Sequence, residues 1–111
     1  MNIALMAHDR KKELMSMIAS LTGTVYLWGM GRRGVDFEDF CIKENIRLTG
    51  VCDKAFQEDK IITERGSVIA STEHVLQNAD NILASNSVIY DDLKDKYRGN
   101  LINLQDYMPY G

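Results

Sequence analysis

The sequence predicts a three-layer α/β domain with a mostly parallel sheet of about 4–5 strands. Three observations lead there. Short apolar runs rich in β-branched and aromatic residues alternate with segments of helical period. The intervening segments are long enough to cross over between parallel neighbours, and such crossovers are right-handed. A cluster of glycines separates the clearest strand from the clearest helix. The chain has 111 residues, which suits a single domain over 1–111.

Each element has its own signal. Residues 3–7 are apolar but too few to separate strand from helix. Residues 8–21 read as helix, with Leu14, Met17, Ile18 and Leu21 on one stripe and Gly23 as the stop. Residues 24–28 read as a buried strand, and 35–44 as a helix with Phe37, Phe40 and Cys41 apolar. Residues 46–52 form the next strand, ending at Asp53. The stretch 54–67 is polar and turn-prone. A short strand at 68–70 precedes a helix at 72–77 capped by Ser71 or Thr72. A strand at 81–84, a helix at 87–97 ended by Gly99 and a strand at 101–104 complete the series. The tail "LQDYMPYG" has two open readings, packing on the domain or on a partner.

Bulk properties exclude several classes. Hydrophobic residues make up 45% and charged residues 26%, with a net charge of -3. That balance suits a globular protein and gives no footprint for nucleic acid. No apolar run is long enough to span a membrane and none resembles a leader, so a cytoplasmic protein is expected. The two cysteines, Cys41 and Cys52, lack metal-ligand spacing and are expected to be buried free thiols. There is no nucleophile elbow, no paired histidines at helical spacing and no Gly-Lys-Ser/Thr phosphate loop.

The stretch "VYLWGMGRRGVDFEDF" carries the functional reading. Gly29, Gly31 and Gly34 form G-x-G-x-x-G between strand and helix. In a dinucleotide-binding turn, Gly29 would allow the sharp bend and Gly31 would admit a pyrophosphate. Gly34 would let the helix pack closely on the strand. Asp53 stands about twenty residues further on, at a strand end, where a ribose-binding acid belongs. Arg32 and Arg33 either fork onto phosphate or point to solvent. Ser71-Thr72 and Ser85-Asn86-Ser87 lie beyond other strand ends, as ligand contacts or, for Ser71 and Ser87 above all, helix N-caps; Ser85 is the one assigned to the site.

From residue 24 to 104 the chain resembles the small Rossmann-like nucleotide-binding module of bacterial surface-polysaccharide enzymes. Such modules accompany sugar acetyltransferases and some methyltransferases. The resembling stretches are "VYLWGMGRRG", "IRLTGVCDK", "GSVIASTEHVLQNADNILAS" and "YRGNLINL". The resemblance implies NAD or a nucleotide-sugar as ligand, held by Gly29, Gly31, Gly34 and Asp53, with no catalytic step inside the domain. A homo-oligomer or partner enzyme would then complete any catalytic site. A shorter similarity links "MNIALMAHDRKK" to the opening of methylglyoxal synthase, a lyase acting on a triose phosphate. It would put His8, Asp9 and Lys12 in an active-site region. The stretch carrying that family's catalytic aspartate has no counterpart here, where "KAFQEDK" follows Asp53. Three readings thus stand: a nucleotide-binding module, a lyase, and a structural or interaction domain with an empty glycine turn.

Overall fold

The computed structural model describes residues 8–56 and 61–109. The apolar run at 3–7, open between strand and helix, lies outside them. The chain runs α1 (His8–Ala19), β1 (Val25–Trp28), α2 (Arg32–Lys43), β2 (Gly50–Cys52), α3 (Thr72–Asn78), β3 (Asn81–Ala84), α4 (Ser87–Leu93) and β4 (Asn100–Asn103). A 3-10 turn at Leu104–Asp106 follows. The four strands form one sheet in the order β2-β1-β3-β4, and every pairing is parallel. Ile69 extends the sheet by a parallel bridge to Val51. With that segment counted, the order matches the Rossmann pattern, in which strand order reverses beside the first strand.

β1 is central because all of its side chains are apolar and buried, so it needs cover on both faces. Strand alternation sends Val25 and Leu27 to one face and Tyr26 and Trp28 to the other. The first face packs on Leu14 of α1 and on Phe37, Phe40 and Cys41 of α2. The second packs on Val75 and Ala79 beside α3 and on Leu93 and Tyr97 at the end of α4. These two cores give three layers, as the sequence predicts. The tail joins the first core through Leu104 and Met108, so it packs on the domain.

Several boundaries differ from expectation, each for a local reason. α2 begins at Arg32, not at 35: Gly31 is its extended N-cap, and the Val35 amide already bonds back to the Gly31 carbonyl. The strand expected over 46–52 shrinks to Gly50–Cys52. Asn45 turns the chain with φ 55°, and only the last three residues come alongside Tyr26–Trp28. The segment at 68–70 forms bridges on both sides and not a full strand. The helix expected to reach 97 stops at Leu93; the Tyr97 hydroxyl turns in to donate to the Ala79 carbonyl at 2.6 Å.

Beneath the sheet, Asp80 accepts hydrogen bonds from the Thr24 amide (2.9 Å) and hydroxyl (3.2 Å). The Asn81 amide group donates to the Thr22 and Thr24 carbonyls. These contacts set the β1–β3 register from the end opposite the glycine turn. No helix among the described residues is long and apolar enough to cross a membrane.

Phe37 is fully buried in the first core. Phe37→Ala should lower stability by about 3–5 kcal/mol in urea unfolding, through lost burial and the cavity left behind. Cys41 and Cys52 are free and buried, as expected. Burial, helped by the Glu38 and Asp53 charges respectively, pushes both thiols from 9.0 up to about 12. The unfolded thiols ionise near the ordinary value while the native ones remain neutral. Their stabilising effect is therefore complete below about pH 9 and is lost as pH rises toward 12. In that window the wild type should lose up to about 1.4 kcal/mol per thiol per pH unit relative to the Cys41→Ala/Cys52→Ala variant. Urea unfolding of both proteins at stepped alkaline pH checks this.

Candidate functional site

The glycine turn leaves β1 at the sheet's carboxyl edge, beside the β1–β3 boundary where the strand order reverses. In open α/β sheets this is the crevice that receives ligands. Gly29 sits at φ +100°, and its amide donates to the Cys52 carbonyl at 2.9 Å. The place a side chain would take there is filled by Ile89 and the Ser85 hydroxyl. A β-carbon on Gly34 would collide with the Gly29 carbonyl oxygen. Both residues thus meet the mechanical demands the spacing implies: a left-handed bend, then close helix–strand contact.

Gly31 differs from both. It is exposed, and no described residue lies within 4 Å of where its β-carbon would be. It is the N-cap of α2 and has no side chain with which to cap. The Val35 amide bonds to the Gly31 carbonyl at 2.9 Å, closing the first turn. The amides of Arg32, Arg33 and Gly34 have no partner among the described residues. Three N–H groups at the positive end of a 12-residue helix make an anion-binding arrangement.

Asp53 follows β2 and is half-buried. Its carboxylate accepts from the Met30 amide at 2.6 Å and from the Ala55 amide at 2.9 Å. It therefore ties the glycine turn to the end of β2. Each oxygen retains a lone pair for a further donor such as a ribose hydroxyl. The two arginines part ways. Arg32 is exposed at the first position of α2. Arg33 turns inward, donating from Nε to the Met108 carbonyl at 2.7 Å and from Nη1 to the Ser85 carbonyl at 3.0 Å. It fastens the tail and the end of β3 to the base of α2. Its partners are main-chain groups 75 and 52 residues away, which no sequence pattern marks.

Ser85 is 3% exposed and lies under Gly29, its amide bonded to the Trp28 carbonyl at 3.0 Å. The cap of α4 is Asn86, whose side chain accepts from the Ile89 amide at 2.9 Å. Ser87 is not a cap: its hydroxyl accepts from Asn103 and its amide donates to Gln105. Ser71 caps α3 by accepting from the His74 amide. Asp9 is a first-turn acid of α1. Asp9 and Lys12 are exposed and line a cavity of about 700 Å³ together with Tyr107, with no residue of the glycine turn in its wall. The His8 side chain lies outside the described residues.

Removing the Asp53 carboxylate strands the part-buried Met30 amide and leaves the exposed Ala55 amide to water, so Asp53→Ala should cost about 1–3 kcal/mol of stability even without ligand. Denaturant unfolding of the ligand-free variant reads this directly; an unchanged midpoint would show that the bonds to Met30 and Ala55 contribute nothing net.

The chain matches no family model, no curated protein and no solved structure.

Proposed function

We propose that this domain binds a nucleotide-containing small molecule, NAD or a nucleotide-sugar, at the carboxyl edge of its sheet. The observation that carries the reading is Gly31. No described residue lies within 4 Å of its β-carbon position, and it adjoins three amides that have no partner among the described residues and a carboxylate held at the end of the neighbouring strand. A pyrophosphate in front of the α2 N-terminus would accept from those amides, with Arg32 adding charge. Asp53 would accept from a ribose diol with its remaining lone pairs. Arg33 and Ser85 act from beneath, as supports of the turn. The resemblance to the polysaccharide-enzyme module favours the same two ligand classes. Chemistry on the ligand would come from a second subunit or a partner enzyme.

A vacant structural corner is the competing reading. It is favoured by Asp53 and Arg33, which both spend their strongest hydrogen bonds on the protein's own main chain.

Gly31→Val separates the two. The β-carbon meets none of the described residues, so the fold should lose no more than about 1 kcal/mol, through the poorer N-cap. Calorimetric titration with NAD, NADP, S-adenosylmethionine and UDP-sugars should find binding of NAD or a UDP-sugar to the wild type. Gly31→Val should weaken that binding at least about tenfold by occupying the phosphate's approach. Failure of every ligand at millimolar concentration would establish the vacant corner.

A further inference from the structure

A polar cavity lies along the second half of α2, with no residue of the glycine turn in its wall. Its volume is about 390 Å³, and it opens between the last turns of α2, the 45–48 connection and the turn at 63–68. Glu38 is in its wall and is 1% exposed. One carboxylate oxygen, Oε2, accepts from the Thr63 hydroxyl at 2.6 Å. The other, Oε1, has no hydrogen-bond partner among the described residues. A buried carboxylate oxygen left unpaired is costly, and native proteins supply a donor in nearly every such case.

The nearest positive group does not supply one. Nη1 of Arg65 is 4.0 Å from Oε1, and Nε of the same side chain is 3.9 Å from Asp39 Oδ1. Both separations exceed hydrogen-bonding range. The guanidinium is thus attracted to two carboxylates without donating to either, and its fork remains available to an anion. Arg65 and the exposed Arg47 both line the cavity. Ile46, Leu48 and Val68 provide apolar wall in the same cavity.

From these unmet groups we infer that the cavity is a binding site for a small zwitterion with an apolar substituent, the chemistry of a free apolar α-amino acid. The ammonium donates to Glu38 Oε1. The carboxylate accepts from Arg65 and Arg47. The side chain lies against Ile46, Leu48 and Val68. A ligand of a single charge sign meets one half of this arrangement and is opposed by the other. Opening Oε1 to the ligand requires the half-exposed Arg65 side chain to swing toward the carboxylate it is to bind.

L-leucine, 4-methylpentanoate and 3-methylbutylamine test the pairing, since they share one apolar group and differ in charge. Calorimetry on the whole chain should detect leucine, with both singly charged analogues at least about tenfold weaker. Glu38→Gln preserves shape and removes the charge. Because Glu38 is buried, its thermal unfolding is recorded alongside, and the exposed pair Arg47→Ala/Arg65→Ala serves as the second variant. Each variant that folds should weaken leucine at least about tenfold. Absence of leucine binding at millimolar concentration would mean that water fills the cavity, and the inference fails. Equal affinity for 4-methylpentanoate, or unchanged leucine affinity in the arginine variant, overturns it as well.

Discussion

The contact between Gly34 and the Gly29 carbonyl is the constraint on which the rest of the fold depends. It brings the first turn of α2 onto the end of the central strand without a side chain between them. A methyl group there would push the helix off the sheet. With the contact made, Phe37, Phe40 and Cys41 reach Val25, Leu27 and Val51 and fill one face of the core. The same contact points the start of α2 at the place where strand order reverses. One close approach thus sets both the packing of the first layer and the position of the unpartnered amides.

Side-chain hydrogen bonds then lock what that packing brings together. Asp53 holds the Met30 amide, and Arg33 holds the Ser85 and Met108 carbonyls. These are charge-assisted bonds to main chain, stronger than neutral ones, and they cross between segments distant in sequence. Their functional consequence is a division of labour. Under the proposed binding, a ligand would meet mainly backbone N–H groups and the open side of Gly31, while charged side chains keep the turn in shape. A turn already held by these bonds would have little ordering left to do on binding, which favours affinity. Midway along α2 the situation is reversed: Glu38 and Arg65 lie near each other but are not hydrogen-bonded. One helix therefore offers different chemistry at its start and along its second half, backbone donors first and then unmet side-chain charge.

The amino-acid sequence by itself determined the architecture: the alternation of strands and helices, the buried strand before the glycine turn, the apolar stripes of α1 and α2, and the mechanical roles of Gly29 and Gly34. Those features are local, since periodicity, turn chemistry and glycine spacing act over a few residues. The tertiary structure alone decided the rest. It shortened the strand before Asp53, because only the residues alongside β1 can pair. It moved the cap of α4 to Asn86 and buried Ser85 beneath Gly29. It also separated two adjacent arginines that are equivalent in sequence, leaving Arg32 exposed and turning Arg33 toward carbonyls of β3's end and the tail. The Glu38 cavity had no sequence signal at all. A glutamate on a helix reads as solvated until the 63–68 turn folds over it. What a side chain does depends on which distant main-chain groups reach it, and pairing over that range exists only once the sheet is assembled.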